Sequence, residues 1–228
     1  MNKKIRVTIL DDHQNIIDGY MYRLGQNPQI EVAATINFGG ELEAAIAEHP
    51  TDVLLLDVNV PTSAKNQNPY PILHVIPKLL QTYAGLNILV ISMYAERGLI
   101  RAVMEAGASG YVLKDDQTTA QDLGSVVISI AGGGIYFSQK AHQLYLSHLS
   151  KEHELLTVRQ SEALSLCAAY PNSSTSDLAK MMSVSHSTAR NILSAAYLKL
   201  DVNTRSAAIA RAQQLGLITS SLPSLLNR

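Results

Sequence analysis

DVLLLDVNVP, residues 52–61, decides the fold. Its four apolar residues between two aspartates are too few for a helix and leave no polar face, which is the pattern of a strand buried on both sides of a parallel sheet. Working outward, the same grammar recurs. IRVTIL leads to Asp11 and Asp12, NILVI to Ser92, and GYVL to Lys114. Apolar runs over residues 4–10, 31–36, 52–57, 87–91 and 110–113 alternate with helical-length segments over 14–26, 41–48, 72–83, 97–106 and 118–131. Five such pairs predict an α/β domain, a doubly wound five-stranded parallel sheet spanning residues 1–131. In that arrangement the carboxyl ends of the strands share one crevice, so Asp11, Asp12, Asp57, Ser92 and Lys114 converge.

Two adjacent aspartates at a strand end repel one another unless a cation is present. A divalent ion such as Mg2+ relieves that repulsion through hard oxygen ligands, one of them from Asp57. Asp57 then reads as a nucleophile toward a phosphoryl donor, with Lys114 neutralising oxygen charge and the Ser92 hydroxyl donating to the new phosphoryl oxygen.

The 228 residues suffice for two modest domains. The formal charge of −1 divides unevenly: residues 1–150 carry 10 Lys+Arg against 14 Asp+Glu, and residues 151–228 carry 8 against 5. No run approaches the roughly 18 apolar residues of a membrane span, and there is no secretory leader pattern. With a single cysteine, Cys167 in an apolar run, a disulfide framework is excluded and a cytoplasmic protein is expected.

After Gly132, Gly133 and Gly134 the pattern changes. Residues 132–154 read as a linker with a short helix near 140–149; its His142, His148 and His153 lack the spacing of a metal site. From residue 155 only helices follow, over 157–169, 176–182, 185–200 and 204–215, and residues 218–228 form a tail. Thr157 with Gln160 three residues on has capping-box spacing, and Asp177 and Ser185 are further cap candidates. Short polar turns between four small helices suit a second, smaller all-α domain over 155–217, a compact helical DNA-binding unit.

DDH at residues 11–13, LLLDVNVP around Asp57, ISMY from Ile91 and GASGYVLKDD from Gly107 together resemble a response-regulator receiver domain. The resemblance implies phosphotransfer to Asp57 from a histidine kinase or phosphotransfer protein. It further implies Mg2+ held by Asp12, Asp57 and the main-chain carbonyl of Asn59, with Asp11 acting through water. Tyr111 matches the aromatic switch position that turns inward as Ser92 engages the phosphoryl group. The C-terminal helices resemble the LuxR-type helix-turn-helix of NarL/FixJ regulators, in residues including Leu156, Thr157, Arg159, Glu162, Leu178, Val184, Thr188, Val202 and Arg205. By that likeness residues 185–200 are the recognition helix, and His186, Ser187, Thr188, Arg190 and Asn191 meet double-stranded DNA. A phosphorylation-dependent homodimer is implied as well, with Ala208, Ile209, Ala212 and Leu215 shared between core and dimer contact.

Two departures stand out. After Pro61 the stretch TSAKNQNPYP is several residues longer than the family's turn, and PNSSTS lengthens the link between the first two C-terminal helices. The expected function is a two-component, DNA-binding transcriptional regulator, not an enzyme acting on a separate substrate. The alternatives are a regulator of the same architecture that works without phosphorylation and, more remotely, an aspartate-nucleophile phosphatase, whose second carboxylate two residues on is replaced by Asn59.

Overall fold

The computed structural model describes residues 3–146 and 155–219. Strands β1 (Ile5–Leu10), β2 (Ile30–Ile36) and β3 (Val53–Asp57) alternate with helices α1 (Gln14–Gly25) and α2 (Leu42–Glu48). A hairpin of β4 (Pro61–Ser63) and β5 (Asn66–Pro69) precedes α3 (Ile72–Thr82). Then come β6 (Asn87–Ser92), α4 (Arg97–Glu105), β7 (Gly110–Leu113), α5 (Gln117–Gln121), α6 (Leu123–Ala131), β8 (Tyr136–Phe137) and α7 (Gln139–Leu146). Four helices complete the described chain: α8 (Val158–Ala169), α9 (Thr175–Met181), α10 (His186–Leu200) and α11 (Arg205–Gln214).

The main sheet has the order β2-β1-β3-β6-β7-β8, all parallel. It is wound on both faces because successive strand residues point to opposite sides. Leu54, Leu56, Ile88, Val90 and Tyr111 pack toward α3 and α4, whereas Val53, Leu55, Leu89, Ile91 and Val112 pack toward α1 and α6.

The sheet has six strands, which corrects the expected five. The sixth lies in the stretch read as linker. Tyr136 N–H donates to the Ser109 carbonyl at 3.1 Å and Ser138 N–H to the Tyr111 carbonyl at 3.1 Å. Gly110 permits this approach, since a Cβ there would lie 2.4 Å from the Tyr136 carbonyl oxygen. Two residues are too short a run for period-two alternation to be visible. The Ser138 hydroxyl, buried, then accepts from Leu113 N–H at 3.1 Å. Helix α7 starts directly afterwards and buries Ala141; the remainder of the expected helix, with His148, and the linker residue His153 lie outside the described residues.

The expected helix over 118–131 is broken at Asp122 into α5 and α6. Asp116 caps α5 by accepting from Thr119 N–H. The long stretch after Pro61 is the β4–β5 hairpin, with Pro61 opposite Pro69 and Ser63 opposite Asn66.

In the C-terminal helices the Thr157–Gln160 capping box is present. Ser174, not Asp177, is the N-cap of α9, and Asp177 closes the box from its third position. Ser185 caps α10. Arg205 donates to the Ser173 carbonyl at 2.5 Å and so ties α11 to the lengthened link. Cys167 is fully buried and its thiol is pushed up to about 11 by burial, as a core residue requires. Ala208 and Ala212 are buried, while Ile209 is half-buried and Leu215 exposed. Of the tail, Ile218 and Thr219 are described and buried; residues 220–228 lie outside the described residues.

Gly110→Ala should expel β8 and cost about 1–3 kcal/mol of unfolding free energy by overpacking. Denaturant unfolding with amide exchange at Tyr136 and Ser138 checks this. Exchange as slow as in the parent protein would contradict the seating of the sixth strand on Gly110.

Candidate functional site

The strand register builds the pocket. Leu10 pairs with Leu56, so Asp11 and Asp57 each stand one residue beyond the same rung of the ladder. Asp57 is level with Ile91, and Ser92 follows it; Ser92 pairs with Leu113, and Lys114 follows that. Lys114 N–H donates to the Ser92 carbonyl at 2.8 Å, which extends the last rung into the pocket wall.

Lys114 Nζ lies 2.6 Å from Asp11 Oδ2 and 2.7 Å from Asp57 Oδ2, with all three side chains at most 7% exposed. Asp11 also accepts from His13 N–H at 3.0 Å, and its carbonyl accepts from Asn37 Nδ2 at 3.2 Å. Asp57 Oδ1 accepts from Asn59 N–H at 3.2 Å. Burial pushes the Asp57 carboxyl above the ordinary carboxylate value, and the Asp11 charge adds to this; Lys114 and the Asn59 amide oppose it. For Lys114, burial alone would favour the neutral amine. The two flanking carboxylates outweigh it and hold the ammonium charged.

Asp12 stands at the rim. Its Oδ1 is 2.7 Å from His13 Nδ1 yet out of line for a hydrogen bond, and like Asn59 Oδ1 it is a buried oxygen without a donor. Ligand atoms of Asp11, Asp12 and His13 lie within 4.8 Å of one another. Buried oxygens lacking donors beside a crowd of carboxylates form a set that a hard divalent cation satisfies. The residues present therefore fit a metal ion.

Ser92 is fully buried, and its Oγ accepts from Tyr94 N–H at 3.0 Å. Tyr111 is also fully buried, and its hydroxyl donates to the Tyr94 carbonyl at 2.8 Å. Tyr111 and Ser92 thus grip one loop residue, Tyr94, from its two backbone groups. Sequence reasoning missed Tyr94 because its contribution is main-chain. It left His13 unassigned although DDH contains it, and it gave no signal for Asn37.

At the far end, His186, Ser187, Thr188, Arg190 and Asn191 are all exposed on the first two turns of α10. The Ser185 hydroxyl caps Thr188 N–H at 3.1 Å and lies 2.9 Å from Ser187 Oγ and 2.8 Å from Thr188 Oγ1. Two of the five expected contact residues are therefore engaged locally. Ala189, Leu193 and Ala196 on the opposite face are buried. Among the described residues no helix is long and apolar enough to cross a membrane.

Lys114→Met leaves two buried carboxylates facing one another and should cost about 3–5 kcal/mol at neutral pH. The folded variant would bind more protons than the unfolded chain above the ordinary carboxylate value, so its stability should fall as pH rises through that window. Thermal unfolding from mildly acidic to neutral pH reads this. A variant as stable as the parent at neutral pH would refute the bridging role.

The chain is similar to the transcriptional regulatory protein DegU of Brevibacillus brevis, 27% identical in an alignment that covers 94% of this chain and 95% of that protein. Its identity to the transcriptional regulatory protein DesR of Bacillus subtilis is also 27%, over 93% of this chain and 98% of that one. Among solved structures, RcsB from Salmonella enterica serovar Typhimurium bound to the promoter rprA in the presence of phosphomimetic BeF3− shares the fold, with a TM-score of 0.65 at 20% identity over 96% of this chain and 100% of that one. The model of the response regulator receiver domain matches residues 7–123, just over half of the chain and the part that holds Asp11, Asp12, Asp57, Ser92 and Lys114. The chain belongs to the response regulator receiver domain family.

Proposed function

We infer that this protein is a two-component response regulator and DNA-binding transcriptional regulator in which Asp57 accepts a phosphoryl group from a histidine kinase or phosphotransfer protein. The observation that carries the reading is the Lys114 bridge between Asp11 and Asp57, which gathers a buried carboxylate nucleophile, its charge partner and a metal-binding rim at one sheet edge. An Asp57 carboxylate oxygen attacks phosphorus, the phosphorus–nitrogen bond to the donor imidazole breaks, and the imidazole leaves with that electron pair. The product is an acyl phosphate at Asp57, formed once per signal; no separate substrate is turned over.

Lys114 exchanges part of its pairing with Asp57 for the new phosphoryl oxygens. Ser92 Oγ accepts from Tyr94 N–H and is hydrogen-bonded to the Tyr111 hydroxyl, and it would turn its proton from Tyr111 to a phosphoryl oxygen. Asp12, Asp57 and the Asn59 carbonyl would hold Mg2+, with Asp11 acting through water. Bound there, the ion neutralises charge on the transferring group. Tyr94, gripped by both Ser92 and Tyr111, connects the pocket to the β6–α4 loop.

The relatives' designation as transcriptional regulators and the promoter-bound RcsB support DNA as the partner of the C-terminal helices. The N-terminal half of α10 would enter a major groove, where Arg190 can pair with guanine or hold phosphate and Asn191 can pair with adenine. A two-fold dimer would meet half-sites roughly one helical turn apart.

With acetyl phosphate and Mg2+, the protein should gain one hydroxylamine-labile phosphoryl group by intact mass, and Asp57→Asn should gain none. Equal labelling of the two would rule out Asp57 as acceptor. Arg190→Ala should weaken DNA binding by about 1–3 kcal/mol without changing that labelling. Undiminished affinity in a titration on a selected site would remove Arg190 from the interface.

A further inference from the structure

Only four residues past Asp57 the chain enters the β4–β5 hairpin, the segment that departs from the family's pattern. It is firmly seated on the receiver. Tyr70 N–H donates to the Val60 carbonyl at 2.9 Å, and the Tyr70 ring lies over Gly39, where a Cβ would be 2.1 Å from it. Gly40 is also closely covered, its Cβ position being 2.7 Å from the Thr62 carbonyl oxygen.

From that seat the hairpin reaches the helical domain. Asn66 Nδ2 donates to the Ala169 carbonyl at 3.2 Å, and Asn68 Nδ2 donates to the same oxygen at 3.3 Å. Ala169 is the last residue of α8, where carbonyls have no partner within the helix and the helix dipole is negative. The donors stand in the receiver about a hundred positions earlier in the chain, so the hairpin acts as a C-cap across the domain boundary. Asn66 Oδ1 accepts from Asn68 N–H at 3.1 Å and from Asn68 Nδ2 at 2.8 Å, which fixes both amides with their donors turned outward.

Three further contacts join the same two parts of the chain. On α3, directly after the hairpin, His74 Nδ1 lies 2.9 Å from Oε1 of the buried Glu162 on α8. At the start of α4, Gly98 meets Leu217, and Glu96 packs against Gly216. The five expected DNA-contact residues on α10 remain exposed throughout.

We propose that the β4–β5 hairpin is an interdomain clasp, in which Asn66 and Asn68 hold the C-terminal end of α8 and so fix the helical domain relative to the phosphorylation pocket. Because the recognition face stays open, the clasp governs where the DNA-binding helix points and not whether it is covered. Its coupling to Asp57 rests on the phosphoacceptor reading; its holding of α8 does not.

Asn66→Asp tests it in the full chain, since it keeps the oxygen that serves Asn68 and turns a carboxylate on the Ala169 carbonyl. Spin labels at Glu48→Cys and Ser194→Cys, with buried Cys167 left in place, report the distance between the domains. The unmodified protein should give one narrow distribution. Asn66→Asp, and the double variant Asn66→Ala with Asn68→Ala, should give broader distributions shifted to longer distance, with helix content by circular dichroism unchanged. Distributions identical to the parent's in both variants would overturn the clasp. Beryllofluoride with Mg2+ should then move the parent's distribution, and should move that of Asn66→Asp less. Equal movement in both would overturn the coupling while leaving Asp57 as acceptor, whereas no binding of beryllofluoride to the parent would count against the acceptor reading alone.

Discussion

One ammonium group between two carboxylates holds the working end of the sheet together. Lys114 Nζ touches Asp11 and Asp57 at 2.6 and 2.7 Å in a site almost closed to solvent. Without a cation there, the two buried carboxylates at the ends of the neighbouring strands β1 and β3 would have to share a proton or separate. The bridge also opposes the burial that pushes the Asp57 carboxyl up, and an anionic carboxylate is what a phosphoryl donor requires. Stability and chemistry thus rest on the same contact. Parallel pairing of six strands, two buried faces and short strand-to-helix turns all serve to bring those three residues to the same end of the sheet.

Tyr94 gives the pocket its reach. Its N–H serves Ser92 and its carbonyl serves Tyr111, so a change in Ser92's partner bears on the loop that leads into α4. That loop and the hairpin both follow strands that end at the pocket, and both meet the helical domain, at Gly216–Leu217 and at Ala169. An event at Asp57 therefore has two mechanical routes to the DNA-binding helices. Neither route passes over the exposed face of α10.

Most of the receiver was legible in the sequence because continuous apolar runs of strand length alternate with amphipathic segments. That signal survives without any tertiary information. The pocket residues were legible because they end such runs. What stayed hidden depends on contacts distant in the chain. Tyr136 and Phe137 form a strand only because Gly110 lets their backbone close in, and no periodicity is visible in two residues. The TSAKNQNPYP stretch reads as an open loop because its pairing joins Pro61 to Pro69, residues that depress strand propensity. Ser174 took the N-cap position from Asp177 because the two side chains satisfy one another reciprocally, a choice that residue type alone leaves open.

The central claim is that modification at Asp57 alters what the C-terminal helices do on DNA. The direct measurement is the affinity of the full-length protein for a selected DNA site, with and without Mg2+ and beryllofluoride, for the parent and for Asp57→Asn. The account predicts that affinity changes in the parent and stays constant in Asp57→Asn. The same response in both proteins, or none in the parent although beryllofluoride is bound, would contradict it.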